Sequence, residues 1–499
     1  MASLSRQLAR WIAGLEYGDL PAQVIDRAKG VTLHCLSSIL LGSQTASGRE
    51  AIDLVIEEEE GVRRGATIMV NGTRATKSGA AFANSEMAFA GGKWDTFRML
   101  MHPGTSVIPG ALAAAEATGA SGKQFITAIA AGYEVMERLA ADVIPTLMSR
   151  GFHPSPVFGI FGAAIAAAKI FGLTEDQLNS TIALSASLAS GSIEGARSGG
   201  RALREGAAVR NATLAVALAR RGHVGGETVL EGDAGFYHAY VGNNQVRLNY
   251  SFVGDTRASL DNVTADLGKS WIFLETLYRI YSISGYNIAH VDVTAALCAK
   301  HNILPADIER IEAVVNWLET QYPSPAFPVR REDQIHKAGS TSYHIAYAAV
   351  KRGFPMLRDW APQSASVDDP PEALELMKRV TIVPSHTMTL FGPRITIFTK
   401  DGRQYTLQGT GREFIWDFDE QARRIRGVVP GLPIPSAQFD EIIQTCRELD
   451  REQRADTLVK LMQRTAGHLT NSIRHALDGG QPTREHPGRL SSRHGTPGA

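Results

Sequence analysis

The 499-residue sequence contains few cysteines and no excess of charge of either sign. Its three cysteines, Cys35, Cys298 and Cys446, lie far apart and form no CxxC pair. This spacing argues against a disulfide framework or a thiolate zinc site and favours a reducing compartment. The 51 lysines and arginines balance the 51 aspartates and glutamates, whereas a protein that binds phosphate backbones usually carries a basic excess. We therefore expect no nucleic-acid partner.

Long apolar runs are also lacking. The stretch 5–12 carries charge and has no signal-peptide hydrophobic core, and the Ala- and Ile-rich run 162–170 is shorter than the ~20 apolar residues of a membrane span. The sequence therefore predicts a soluble cytoplasmic protein without a membrane partner. Apolar residues still make up 44% of the chain, which is enough for a sizeable buried core and excludes global disorder.

The motifs of several enzyme classes are missing. No HExxH, GxSxG or strand-linked GxGxxG is present, and the glycine-rich segment 195–206 lacks the GxxxxGK[ST] pattern of a nucleotide P-loop. Metalloprotease, serine hydrolase and nucleotide-binding functions are therefore disfavoured, and nothing in the sequence points to a metal.

The spacing of apolar residues predicts a mainly α protein. Up to about residue 240 these residues recur at helical intervals. From about residue 268, short β-branched and aromatic runs with an Asp401-Gly402 turn signal indicate a smaller α+β unit. We therefore predict a large all-helical domain built from both chain ends (1–267 and 412–470), an inserted α+β lid (268–411) and a disordered tail at 479–499.

Two segments share one arrangement, a histidine and a proline just before a predicted helix. His102 precedes a helical run over 107–117, and His153 precedes a second run over 157–169. A helix start offers free N–H groups and the positive end of the helix dipole, so a histidine there is well placed for proton transfer on a carboxylate. The alternative, that each histidine only caps or packs at a loop, stays open on this pattern alone. Candidates for the helix N-caps are Thr105, Ser106 and Ser155.

Two further segments have the composition of ligand-binding loops. Asp95 and Thr96 follow the glycines at 91 and 92 and would orient His102 or bind substrate; an ordinary turn capped by Asp95 is the alternative. The loop 195–206 is rich in glycine and arginine, and guanidinium groups bind planar anions bidentately. This loop therefore indicates carboxylate or phosphate recognition, with a solvated basic loop as the alternative.

Taken in chain order, these segments resemble the MmgE/PrpD family, which includes 2-methylcitrate dehydratase, cis-aconitate decarboxylase and iminodisuccinate epimerase. The resemblance runs over about residues 5–465. The segments that carry it are Asn84, Asp95-Thr96, His102-Pro103-Gly104, Gly151-Phe152-His153-Pro154, Phe161-Gly162-Ala163-Ala164, Gly172-Leu173, Gly206, Arg210-Asn211, Thr228-Val229-Leu230-Glu231-Gly232 and Gly235-Phe236.

The resemblance implies a homodimer whose subunits combine a helical domain from both chain ends with an α+β lid, and an active site between the two. It also implies activity on small di- or tricarboxylates without a metal or an organic cofactor. His102 and His153 fall on the family's two active-site histidines, and Asp95 and Thr96 fall on its aspartate–threonine pair.

Several positions near the loop 195–206 depart from the family's pattern. Gly92 stands where an acidic residue four positions before the threonine is usual, and Arg201 stands where the glycine-rich loop usually carries a lysine. The histidine that usually follows this lysine falls on Arg204 or Glu205. The resemblance therefore implies a site with a rearranged charge around the substrate.

A further departure lies just before the predicted lid. A second usual lysine falls on Arg279 near Tyr281, and the spacing to His290 is two residues longer than usual. Lysine donates a proton when its pKa is lowered, whereas arginine stays charged. The two replacements of lysine by arginine would therefore keep anion binding but remove proton donors, so the family's dehydratase activity does not carry over directly.

The sequence thus predicts a cofactor-independent lyase or isomerase that acts on a small carboxylate by dehydratase, decarboxylase or epimerase chemistry. His102 would remove a proton next to a carbonyl or carboxylate, and His153 would protonate the leaving group or stabilise the enolate. Asp95 and Thr96 would orient the base or the ligand. The alternatives are an inactive or binding-only family member, or one repurposed for another non-redox reaction. The residues predicted to bind the substrate are Arg201, Arg204, Glu205, Arg279 and Tyr281.

Overall fold

The elements of the computed structural model are mostly helices, which confirms the predicted mainly α fold. The structure describes residues 2–62, 64–194, 204–254, 257–281, 283–321, 324–326, 340–354 and 369–464. The predicted disordered tail at 479–499 lies outside these residues.

Helices dominate the first half of the chain. They are α1 (Leu4–Gly14), α2 (Ala22–Gly42), α3 (Ala46–Glu59), α4 (Lys77–Ala90), α5 (Gly104–Thr118), α6 (Gly122–Ala140), α7 (Ile144–Ser149), α8 (Pro154–Ile170), α9 (Glu175–Leu188), α10 (Arg204–Arg220) and α11 (Phe236–Val241). The strands between them are β1 (Ala66–Thr67), β2 (Arg74–Ala75) and β3 (Trp94–Thr96).

Strands become more frequent in the second half. The strands are β4 (Leu277–Arg279), β5 (Ile308–Asn316), β6 (Val380–Ser385), β7 (Arg394–Thr399) and β8 (Gln404–Gln408). The helices are α12 (Gly285–Lys300), α13 (Thr341–Lys351), α14 (Pro371–Met377), α15 (Phe418–Ile425), α16 (Ser436–Arg447) and α17 (Thr457–Leu461).

The main sheet has the strand order β6-β5-β7-β8, in which β5 and β6 are parallel and the other pairs are antiparallel. The Asp401-Gly402 signal correctly predicted the turn between β7 and β8, where Gly402 has a φ of 83°. A positive φ is readily adopted by glycine because it has no Cβ. A separate pair, β3 with β4, joins Trp94 to Arg279 across an antiparallel ladder.

Buried apolar side chains form two clusters. The larger one contains side chains from helices at both ends of the chain, from Leu4 to Met462. The smaller one joins α12, α13 and α14 to the main sheet. The described residues up to Gln463 belong to one compact unit, and the domain boundaries at 268 and 411 stay a prediction.

Small residues let α5, α6 and α8 pack closely. A Cβ on Gly132 of α6 would lie 2.6 Å from the carbonyl oxygen of Gly162 in α8, and a Cβ on Gly162 would lie 2.8 Å from Val107 of α5. Neither contact is possible for a larger residue without a shift of the helices. This packing fixes the relative positions of α5 and α8, which follow His102 and His153. Among the described residues, every helix is too short or too polar to cross a bilayer.

Candidate active site

The segment from Asp95 to His102 leads from β3 into α5. It turns back on itself, with the Phe97 N–H donating to the Met101 carbonyl at 3.0 Å. Arg98 and Leu100 have positive φ angles of 48° and 58°. Non-glycine residues adopt this conformation at a cost and are concentrated at functional sites.

The side chain of Asp95 binds the start of α5. Its carboxylate accepts the Gly104 N–H at 2.9 and 3.0 Å and the Tyr133 hydroxyl at 2.5 Å. Burial raises the pKa of Asp95 to about 6, although these hydrogen bonds oppose the shift. Asp95 therefore supports the helix start, and it is its backbone that contacts His102. The predicted N-caps Thr105 and Ser106 are wrong, because both lie inside α5.

His102 is oriented by the backbone and by neighbouring side chains. Its Nδ1 lies 3.0 Å from the Asp95 carbonyl oxygen and 3.3 Å from the Thr96 hydroxyl. The ring packs against Trp94 with centroids 4.4 Å apart. Because a carbonyl oxygen only accepts, Nδ1 carries the proton, and the neutral ring has its lone pair on Nε2. In this tautomer Nε2 of His102 can accept a hydrogen bond or a proton.

His153 has the opposite arrangement. It is itself the N-cap of α8, and its Nδ1 accepts the Ser155 N–H at 3.3 Å. The predicted N-cap Ser155 is therefore wrong. Because Nδ1 accepts a hydrogen bond, the neutral ring carries its proton on Nε2. In this tautomer Nε2 of His153 can donate a hydrogen bond.

Both histidines line one cavity of about 60 Å³. Thr96 and Arg279 also lie in its wall, so the structure brings four of the predicted site residues together. A larger cleft of about 600 Å³ adjoins this cavity, and Arg98 and Phe391 line both. A cavity with two histidines and a guanidinium can bind an anion and move protons on it.

Arg279 reaches the cavity because β4 pairs with β3. Its guanidinium lies over the Trp94 ring, 4.5 Å from the centroid, and its Nε donates to the Ile283 carbonyl at 2.8 Å. Tyr281 stacks instead on Phe354, with ring centroids 3.5 Å apart. Tyr281 is not among the described residues of the cavity wall.

Arg204 and Glu205 begin α10 behind the cavity. Glu205 is buried and accepts the Ser155 hydroxyl at 3.0 Å, and Ser155 in turn accepts the His102 N–H at 3.2 Å. Burial raises the pKa of Glu205 to about 7. The Arg204 guanidinium lies 6.0 Å from the centroid of the Phe89 ring. Neither residue is among the described residues of the cavity wall, and Arg201 lies outside the described residues.

The other residues of the cavity wall were not among the predicted site residues, and they include Arg98, Tyr286 and Phe391. The Arg98 guanidinium pairs with Glu275 at 2.8 Å. Phe391 has a positive φ of 61° and is buried. Arg98 lies between the predicted residues Thr96 and His102, whereas no local pattern identifies Tyr286 and Phe391, which come from distant segments of the chain. In the described parts of the chain, no group of three or more His, Cys, Asp or Glu side chains is arranged to hold a metal ion.

Comparison with known proteins identifies a family and several relatives of this chain. The model of the MmgE/PrpD N-terminal domain matches residues 6–249, which include both histidines. The chain is 27% identical to human cis-aconitate decarboxylase over 81% of this chain and 82% of that protein. It is 25% identical to cis-aconitate decarboxylase of Aspergillus terreus over 77% of this chain and 79% of that protein.

A third relative matches over a shorter length. The chain is 27% identical to the cis-aconitate decarboxylase-like protein oryM of Aspergillus oryzae over 57% of this chain, and it spans 59% of that protein's length. The identities of 24–28% mark a distant relationship to these curated proteins. On the family match, these relatives and the order of its segments, the chain is a divergent member of the MmgE/PrpD family.

Proposed function

We propose that this protein is a lyase that acts on a small di- or tricarboxylate without a metal or an organic cofactor. In this proposal His102 and His153 exchange protons with the substrate. The observation that carries the proposal is the opposite proton placement on two imidazoles of one cavity. His102 donates from Nδ1 to a backbone carbonyl, and His153 accepts at Nδ1 from a backbone N–H. One ring can therefore take a proton at Nε2 while the other gives one.

Charged groups support an anionic substrate. Arg279 lies in the cavity wall with both histidines, and Arg98 lies at the boundary with the larger cleft. A guanidinium binds a carboxylate with two parallel hydrogen bonds. We assign Arg279 to one substrate carboxylate and Arg98 to a second one. To bind that carboxylate, Arg98 would give up its ion pair with Glu275.

The relatives suggest the first substrate to test. Their names describe decarboxylation of cis-aconitate. Loss of a carboxylate as CO₂ leaves an electron pair on carbon, which requires a proton donor. His153 would supply that proton from its imidazolium form, become neutral, and regain the proton from solvent. Dehydration or isomerisation would also require His102 to remove a proton from the carbon next to a carboxylate. The two histidines can serve either reaction, so the product identifies the reaction.

A substrate panel tests the proposal. Purified protein is incubated with cis-aconitate, citrate and 2-methylcitrate in the presence of a metal chelator, and products are identified by proton NMR. We expect conversion of at least one acid despite the chelator. Binding detected by a thermal shift without any conversion would favour the binding-only alternative and contradict the lyase.

The quaternary structure and the location are also proposals. The family resemblance favours a homodimer in a reducing cytoplasm, and the cysteines are buried and unpaired. Light scattering of the purified protein tests the dimer: a mass of about twice the 53.8 kDa of one chain is expected.

A further inference from the structure

A buried histidine and a buried glutamate that take no part in the proposed proton transfer meet behind the cavity wall. His290 of α12 is 0% exposed, and its Nε2 lies 3.3 Å from Oε2 of Glu319. Glu319 follows β5 and is 3% exposed. At this distance and burial, the protonation of each group depends on that of the other.

The contacts of the His290 ring indicate how many protons His290 and Glu319 share. The Nδ1 atom of His290 lies 2.5 Å from the Tyr286 carbonyl oxygen, and this oxygen only accepts, so Nδ1 carries a proton. With no proton between Nε2 and Glu319, a lone pair would face a buried carboxylate. With two protons, an N–H would face an O–H and leave a buried positive charge. One shared proton keeps the pair neutral, and the raised pKa of Glu319, about 8 because of burial, agrees with a carboxyl that holds it.

The pair connects two separate parts of the cavity wall. The Oε1 atom of Glu319 accepts the Phe391 N–H at 2.7 Å, and His290 binds the carbonyl of Tyr286 in the first turn of α12. Both Phe391 and Tyr286 line the cavity that contains His102 and His153. Phe391 also has a positive φ of 61°, a conformation that a bulky residue keeps only when its surroundings hold it. The bond from Glu319 is one contact that does so.

We infer that His290 and Glu319 form a one-proton positioning pair that holds Phe391 and the first turn of α12 against the substrate. The inference rests on the proposed function, because it takes the cavity as the site of the reaction. It assigns neither residue to proton transfer with the substrate. Their effect is to keep the wall opposite the histidines in place, and a displacement of about 1 Å in an active site can cost about 10²-fold in rate.

Two substitutions at Glu319 separate hydrogen bonding from simple burial. Glu319→Gln keeps an acceptor for the Phe391 N–H and a donor for His290, whereas Glu319→Leu removes both. With the best substrate of the panel, we expect Glu319→Leu to lower kcat about 10²-fold and Glu319→Gln to stay within about threefold of wild type. Equal losses in the two variants, or an unchanged kcat in Glu319→Leu, would overturn the pair.

Glu116 offers a matched control. Its carboxylate also accepts a backbone N–H, that of Thr67 at 2.7 Å, and its side chain is 10% exposed. It lies at the far end of α5 from His102. Glu116→Gln and Glu116→Leu should therefore lower the melting temperature in the same order as the Glu319 variants while leaving kcat unchanged. A kcat that follows the melting temperature in both series would show a merely structural role and overturn the inference.

A spectroscopic measurement tests the protonated Nδ1 on which the pair depends, without activity or folding of the leucine variant. In wild-type protein labelled with ¹⁵N-histidine, the His290 signals are assigned by their loss in His290→Gln. We expect Nδ1 to be protonated; a neutral ring with its proton only on Nε2 would overturn the pair. If wild type converts no acid of the panel, the proposed function fails while this measurement still decides the pair. If wild type is active and the Glu319 series shows no difference, the pair fails alone.

Discussion

At the scale of single residues, the two histidines differ in what their Nδ1 atoms face. His102 faces the Asp95 carbonyl and His153 faces the Ser155 N–H. The backbone thereby fixes a different tautomer on each ring. The sequence predicted which two histidines to examine. The backbone contacts that distinguish their tautomers appear only in the folded chain, and the division of roles between the two rings stays a prediction.

The double role of His153 leads to a prediction. It caps α8 and, in the proposed function, donates a proton. His153→Ala should lower turnover by about 10²–10⁴-fold and the free energy of unfolding by about 0.5–2 kcal/mol. His153→Asn, which can still cap the helix, should lose the same activity but keep wild-type stability. Turnover assays and urea unfolding of both variants check this, with the exposed His301→Ala as a control that should change neither. An active His153→Asn would remove His153 from the mechanism.

Burial of the Glu205 carboxyl leads us to expect that the stability of the folded protein depends on pH. Burial raises its pKa from 4.5 to about 7, so between these pH values the folded protein holds a proton that the unfolded chain releases. The stability from this group is complete at the acid end and falls as pH rises, by on the order of 3 kcal/mol. Glu205→Gln should not show this fall. Urea unfolding of both proteins across this range should show a difference that grows with pH; a constant difference would contradict the burial of an ionisable Glu205.

At the scale of elements, the close contact of α5, α6 and α8 positions the two histidines. Gly162→Ala places a Cβ about 2.8 Å from Val107, and overpacking of this kind costs about 1–3 kcal/mol. Gly14→Ala is the matched control, since a Cβ on this helical glycine would have no neighbouring atom within 4 Å and alanine is favoured in a helix by up to about 1 kcal/mol. Thermal unfolding should show Gly162→Ala destabilised and Gly14→Ala unchanged or stabilised. Equal stability of the two variants would contradict the tight crossing.

Local sequence patterns predicted some elements well and others not at all. The predicted Asp401-Gly402 turn lies between β7 and β8, and the helix expected over 157–169 lies within α8. The pairing of β3 with β4 gave no local signal, because each strand has three residues and their partners are about 180 positions apart. This pairing is what brings Arg279 to Trp94. Contacts between residues so far apart in the sequence depend on the whole fold, and the contact between Phe391 and Glu319 is another example.

At the scale of the whole molecule, family membership and the cavity point to the same chemistry. Family membership indicates lyase chemistry on a small carboxylate, and the cavity wall contains two histidines and two arginines, His102, His153, Arg98 and Arg279. The resemblance implies that Arg279 stands in place of a lysine, a replacement that would keep the positive charge for anion binding and remove a proton donor. We therefore expect the two histidines to carry the proton transfer without help from a lysine at that position.

The most direct test follows conversion in D₂O. Wild type, His102→Ala and His153→Ala are incubated with cis-aconitate, citrate and 2-methylcitrate in D₂O, and proton NMR records both turnover and deuterium at carbon. We expect wild type to yield a product, or exchanged substrate, carrying deuterium. If the reaction removes a C–H proton, as dehydration and isomerisation do, His102→Ala should be about 10²–10⁴-fold slower; if it is a decarboxylation, His153→Ala should be slower by the same factor. Unchanged deuterium incorporation in the variant that the product singles out, or none in wild type with any of the acids, would contradict proton transfer by the two histidines.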